Sequence, residues 1–181
     1  MAIPGSESQP LNDHTSPANT ATSSCFCGAV QLSFPIEGPD LVDVFLCHCP
    51  DCKKLSASLF GAGIMASNSS VRILRGQNDL ATLVKPDRAS SGGSVTNTRC
   101  GTCGTLMYRV SSGFPGITVL RTGTVDGVRL LETELRPRTE MFTKYRPSWL
   151  RACEGARQLY EQTDGSGDSE IRSEIVSHIN E

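Results

Sequence analysis

Residues 47 to 52 read Cys-His-Cys-Pro-Asp-Cys, three thiols inside one hexapeptide. Two further groups flank it, Cys25-Phe-Cys-Gly28 and Cys100-Gly-Thr-Cys-Gly104, and only Cys153 stands alone among the eight cysteines. A two-residue gap between cysteines lets both sulfurs reach one ion from a tight turn. Disulfides are the rival use of an even cysteine count. The start MAIPGSESQPLNDHTS has neither the basic region nor the apolar core of a secretion signal, so a reducing, cytoplasmic setting is expected and metal binding is favoured over disulfides. Iron-sulfur clusters also use thiolates, but these spacings do not match the ferredoxin runs. Zinc fits best, because thiolates are soft ligands and zinc favours tetrahedral sites.

The seven grouped sulfurs divide into four plus three. Four thiolates close a structural zinc site, whereas three leave one position for water or substrate. Spacing alone permits Cys49, Cys52, Cys100 and Cys103 to share an ion, with Cys25, Cys27 and Cys47 left over. The preferred partition joins Cys25 and Cys27 to Cys100 and Cys103. It keeps Cys47, Cys49 and Cys52 as a self-contained three-sulfur group, since that hexapeptide can grip an ion unaided.

Outward from these motifs, the 181 residues amount to about one domain. The formal charge of -2 offers no basic excess for nucleic-acid binding, and no run is apolar enough for a membrane span. Residues 1 to 23 are rich in Ser, Thr, Pro and Asn and are expected to be a disordered tail, followed by a zinc-binding domain over 24 to 160. Residues 161 to 181 are expected to be a flexible tail in which Ile171, Ile175 and Ile179 could line one helix face. Between the tails, short β-branched and aromatic runs are separated by Gly, Pro, Asn and Asp. Val30, Leu32 and Phe34 alternate with polar or small neighbours, and similar runs occur at 41 to 46, 58 to 65, 71 to 74, 80 to 84, 105 to 110, 116 to 122 and 128 to 132. The fold class is therefore mainly β, an antiparallel sandwich or folded sheet. Gly123 and Gly127 read as turn positions needing positive φ, with Asp126-Gly127 at a hairpin apex.

The ordered set Cys25-Phe-Cys-Gly-Ala-Val30, Cys47-His-Cys-Pro-Asp-Cys-Lys-Lys54, Cys100-Gly-Thr-Cys-Gly104, Gly123-Thr-Val-Asp-Gly127 and Arg146-Pro-Ser-Trp149 resembles the glutathione-dependent formaldehyde-activating enzyme family, which includes centromere protein V. The resemblance spans about residues 23 to 160. It implies a β-tent fold, a structural zinc on Cys25, Cys27, Cys100 and Cys103, and a second zinc on Cys47, Cys49 and Cys52. It further implies glutathione as co-substrate and carbon-sulfur lyase chemistry. The chain departs from the family after the second motif: Lys53, Lys54 and Leu55-Ser-Ala-Ser58 stand where members commonly have Arg, Lys and a Gly-containing turn.

Three thiolates leave a divalent ion with about one net negative charge, so a bound water would be acidified less than on three histidines. A thiol in the fourth position would be deprotonated yet electron-rich, suited to adding to an aldehyde or leaving it in reverse. Formaldehyde plus glutathione, giving S-hydroxymethylglutathione, is the default reaction; a larger metabolite handled by a lyase or isomerase, or a non-enzymatic zinc-stabilised binding module, are the alternatives. A deaminase is set aside because none of His14, His48 and His178 is followed two residues later by Glu, and no Pro-Cys-x-x-Cys run exists. His48, between two ligands, is expected to hydrogen-bond behind the metal or to shuttle a proton. Lys53, Lys54, Arg99, Arg121, Lys144 and Arg146 are candidates for glutathione's carboxylates, with Lys54 and Arg121 carried forward as substrate-binding together with Trp149. Trp149 is otherwise expected in the core, and Cys153 as a small buried apolar group. The expected partners are glutathione and a small electrophile, with no nucleic acid and no membrane; a homodimer is compatible with this reading.

Overall fold

The computed structural model describes residues 19 to 86 and 93 to 162. The expected C-terminal helix around Ile171 to Ile179 and the expected tail over residues 1 to 18 lie outside these residues. The fold is mainly β. Among the described residues, eleven strands and one α-helix follow in the order β1 (Thr20–Ser24), β2 (Gln31–Pro35), β3 (Leu41–Cys47), α1 (Pro50–Ser56), β4 (Gly61–Ser67), β5 (Arg72–Arg75), β6 (Leu80–Pro86), β7 (Ser94–Cys100), β8 (Leu106–Ser111), β9 (Ile117–Arg121), β10 (Thr139–Met141) and β11 (Arg157–Gln158). They form a three-stranded sheet, β1-β2-β5, and an eight-stranded sheet, β11-β10-β3-β4-β9-β8-β7-β6.

Strand alternation decides which side chains meet. On one face of the large sheet, Val44, Ile64 and Leu120 stand in register across β3, β4 and β9. They pack with Ala21, Leu32 and Phe34 of the small sheet to make the main core. The other face carries Phe45, Met65, Ile117 and Val119, which pack with Cys47 and Cys52 under α1. A Cβ on Gly63 would stand 2.7 Å from Phe45 Cζ and 2.9 Å from Val119 Cγ1, so only glycine lets the Phe45 ring lie across β4.

Four expectations are corrected. The sheets are not wholly antiparallel, because β10 runs parallel to both β3 and β11. Thr20–Ser24 form a strand although residues 20 to 23 fall in the segment read as tail: the run is polar, but Ala21 and Ser23 alternate inward and pair with Phe34 and Leu32. Residues 128 to 132 form a 3-10 helix, not a strand; the Leu130 amide bonds Gly127 O, while Leu130 and Leu131 reach the core from the turn. Gly127 has φ -97, and Gly123 is not among the glycines with positive φ. The segment turns instead through a 3-10 helix at Thr122–Thr124, and Asp126 Oδ2 accepts from Thr22 Oγ1 (2.6 Å), Ser24 Oγ (3.0 Å) and Gln31 Nε2 (3.2 Å), tying the turn to the small sheet.

Candidate metal centres and their surroundings

The four-cysteine group is built from two matching turns. Cys25 and Cys27 follow β1, where the Gly28 amide bonds Cys25 O at 2.9 Å; Cys100 ends β7, where the Gly104 amide bonds Cys100 O at 2.9 Å. Each second cysteine is followed by a glycine in the left-handed region, Gly28 at φ 75 and Gly104 at φ 77. That conformation folds the chain back so both thiols point the same way, and open space around each missing Cβ shows that backbone conformation, not crowding, requires glycine. Phe26 N donates to Thr105 Oγ1, joining the two turns.

The sulfurs of Cys25, Cys27, Cys100 and Cys103 lie within 4.8 Å of one another. Cys25 and Cys27 Sγ are 3.5 Å apart, and Cys27 and Cys100 Sγ are 3.8 Å apart. Disulfide sulfurs would stand at about 2.05 Å, whereas a tetrahedral ion with sulfurs at about 2.3 Å separates them by about 3.8 Å. The donor set and spacing fit a four-thiolate metal site, and all eight cysteines are free thiols.

Cys47, Cys49 and Cys52 form the second group, again with sulfurs within 4.8 Å. Local sequence explains it. Cys47 ends β3, and Pro50 begins α1, where its missing amide costs nothing and its ring sets the helical φ. Cys49 caps the helix, its sulfur accepting from the Cys52 amide at 3.3 Å. The first helical turn then returns Cys52 beside Cys47. Asp51 pairs with Lys85 of β6 at 3.3 Å, and Lys53 Nζ donates to Tyr145 O at 2.5 Å, tying the helix to β6 and to the 3-10 turn at Thr143–Tyr145. No fourth His, Cys, Asp or Glu joins this group among the described residues. Three soft thiol donors at this spacing fit a metal site.

Charge at this centre is uneven. The Cys52 thiol is pushed down to about 2, first by hydrogen bonds from the Cys47 and Cys49 thiols and then, against burial, by the guanidiniums of Arg109 and Arg121. Cys47 is raised, because it donates to Cys49 and Cys52 and is buried. The negative charge of the group is thus drawn toward Cys52, the sulfur that the two guanidiniums act on.

Sequence reasoning places His48 behind the metal, and here its side chain is fully buried, Nε2 lying 2.7 Å from Glu140 Oε1. The ring packs edge-on against Phe60. Glu140, on β10 beside β3, also receives Cys153 N (2.8 Å) and Gln158 Nε2 (2.8 Å) on Oε2 and Arg146 Nη1 (3.1 Å) on Oε1. Burial raises this carboxyl, but the Cys153 amide, His48, Gln158 and Arg146 outweigh it and hold it at about 2. Glu140 carried no signal in the sequence: it sits 92 residues from His48, and only the parallel pairing of β10 with β3 brings them together.

The other candidates separate. Arg121, on β9, is 6 % exposed and faces Cys52 and Arg109. Arg146 is committed to Glu140 and Gln158, Lys144 to Glu161, and Lys53 to Tyr145 O, while Lys54 and Arg99 are exposed. Trp149 is 70 % exposed, which overturns its expected place in the core. It sits inside a short turn closed by the Leu150 amide on Pro147 O, and no strand carries it inward. Cys153 is only partly buried, and its amide serves Glu140. No helix among the described residues is long and apolar enough to cross a membrane.

A family model described as glutathione-dependent formaldehyde-activating enzyme matches residues 20–145. No curated protein matches the chain. Among solved structures, a Rhodobacter sphaeroides protein is 21% identical over 59% of this chain and 89% of its own, with a TM-score of 0.47. The family match runs from β1 through both cysteine centres and the turn that carries Asp126, and the chain belongs to the glutathione-dependent formaldehyde-activating enzyme family.

Proposed function

We propose that the chain is a zinc-dependent enzyme that makes or breaks a carbon-sulfur bond between glutathione and a small electrophile, with formaldehyde as the default. The observation that carries this reading is the three-sulfur group of Cys47, Cys49 and Cys52, which has no fourth protein donor among the described residues. A zinc ion held there supplies a position at which a thiol is stabilised as thiolate while staying nucleophilic. Cys25, Cys27, Cys100 and Cys103 hold the structural zinc that joins the small sheet to the end of β7.

The chain's own residues prepare the chemistry around the open position. Glu140 accepts a hydrogen bond from His48 Nε2, fixing the buried ring and with it the backbone from Cys47 to Cys49. With Nε2 held by Glu140, His48 Nδ1 is left without a partner, and this is the nitrogen proposed for proton exchange in the reaction. Lys54 and Trp149, both exposed, are the residues proposed for the outer parts of glutathione. The domain proposed to do this spans residues 24 to 160 plus β1.

The test is cobalt substitution followed by glutathione titration, reading the sulfur-to-cobalt charge-transfer band together with metal stoichiometry. Two metals per chain and a band that grows with glutathione are expected. One metal, or two with no response, would overturn thiol binding and favour a zinc-stabilised binding module.

A further inference from the structure

Arg121 is the least expected residue of the large sheet. Its side chain is nine-tenths buried, and Nε, Nη1 and Nη2 find no nitrogen or oxygen partner, leaving the Cys52 sulfur as the group that offsets its charge. None of the ion pairs among the described residues involves it. Burying a guanidinium without a counter-charge costs several kcal/mol, so something must compensate. A second guanidinium aggravates the cost: Arg109 comes from β8, where its register partner Val119 lies two residues before Arg121 on the same face. It lies close enough to depress Arg121 further, and its own Nε is also buried without a partner.

The sulfurs of Cys52 and Cys47 face Arg121, and Arg109 acts on Cys52 as well, so it is the ligand cysteines of the three-sulfur group that supply the opposite charge. Gly61 keeps that approach open: a Cβ there would lie 3.5 Å from both Arg121 Nη1 and Cys52 Sγ, so guanidinium and sulfur share a gap that a side chain would fill. Charge counting then becomes informative. Three thiolates on a divalent ion amount to about one negative charge, which one guanidinium balances and two exceed. An anion in the fourth position brings the centre to about two negative charges, matching Arg121 and Arg109. Water or another neutral ligand leaves the surplus positive charge uncompensated.

We propose that Arg121, backed by Arg109, makes the open position of the three-cysteine centre select an anionic ligand, a thiolate in the reaction, over a neutral one. This rests on the thiol-binding reading above. Arg121 acts through the electrostatics of the site and is a selectivity residue, not a carboxylate clamp for the distant end of glutathione. Arg121→Lys keeps the charge without the planar fork, and Arg121→Met keeps most of the bulk without the charge.

The experiment uses the full cobalt-loaded chain at one fixed pH, titrated separately with mercaptoethanol, azide and imidazole and read by the cobalt spectrum. Arg121→Met should weaken mercaptoethanol and azide by about tenfold or more while imidazole stays within about twofold, and Arg121→Lys should retain most anion affinity. Arg109→Met should show the same sign with a smaller change. Equal effects on azide and imidazole, or no effect on either, overturn the proposal. Loss of cobalt from the three-cysteine centre in Arg121→Met but not in Arg121→Lys also overturns it, since the charge would then be holding the ligand set together. A wild-type centre that takes none of the three ligands sinks the thiol-binding reading itself, an outcome separate from lost selectivity in a centre that still binds thiol.

Discussion

His48 and Glu140 meet at 2.7 Å inside the protein, and their contact couples the metal-binding hexapeptide to the C-terminal part of the fold. The Glu140 carboxylate takes four donors on its two oxygens, from His48, Cys153 N, Gln158 and Arg146. Its carboxyl therefore titrates at about 2 in the fold against an ordinary 4.5. A depressed carboxyl stabilises the fold fully above its unfolded value and loses that contribution as pH falls through the folded one.

Glu140→Gln is expected to cost on the order of 2 to 3 kcal/mol near pH 7 and to flatten the acid limb of stability below pH about 4.5. Urea midpoints of both proteins across pH 2 to 7 check this. Metal loss in acid is common to both, so the difference between them carries the Glu140 contribution. An unchanged limb would mean that the network contributes nothing to folding.

Removal of the four-cysteine site should be far more damaging than removal of the three-cysteine site. Cys100→Ser breaks the link between β7 and the start of the small sheet, and structural thiolate sites contribute about 10 kcal/mol or more of metal-coupled folding energy. Loss of the cooperative thermal transition is expected. Cys49→Ser should release one metal per chain and leave a folded protein, with the helix cap kept by the serine oxygen. Thermal denaturation with metal analysis distinguishes the two.

Gly61→Ala places a methyl 3.0 Å from Cys52 Cβ and 3.5 Å from its sulfur. Stability should fall by about 1 to 2 kcal/mol, and metal should be lost selectively from the three-cysteine centre. Gly63→Ala, whose methyl meets Phe45 and Val119 instead, should lose stability while retaining both metals. Metal stoichiometry of the two variants, measured side by side, reads the difference.

Asp126→Ala leaves Thr22, Ser24 and Gln31 without their shared acceptor. A cost of about 2 kcal/mol is expected, with the β1-β2-β5 sheet exchanging its amides faster than the large sheet. Hydrogen exchange that stays uniform across both sheets would contradict the role of Asp126 as their tie. Trp149→Ala, by contrast, should change stability by less than about 0.5 kcal/mol because the indole is exposed. A loss confined to glutathione affinity would assign that ring to the substrate.

Sequence was most informative where the chemistry is local. The hexapeptide Cys47 to Cys52 contains its own cap, its own helix start and all three sulfurs, so no distant segment is needed to bring them together. The paired turns at Gly28 and Gly104 are likewise local, each ending in the residue type that tolerates positive φ. Alternation in Leu32 and Phe34 announced an inward strand face, but the polar run Thr20–Ser24 gave no such warning, because its burial comes from partners across β2.

The mainly β class, the three cysteine groups and most of the residues able to make turns are legible along the chain, because each is set within a few bonds of backbone. Only the tertiary structure decided that Cys25 and Cys27 share a centre with Cys100 and Cys103 some 73 residues away, that Glu140 fixes His48, and that Arg121 and Arg109 face Cys52. Those relationships depend on strand register, and register is chosen by which faces bury together over the whole sheet. A one-residue slip of β9 would turn Arg121 away from the sulfurs, although every local motif would read the same.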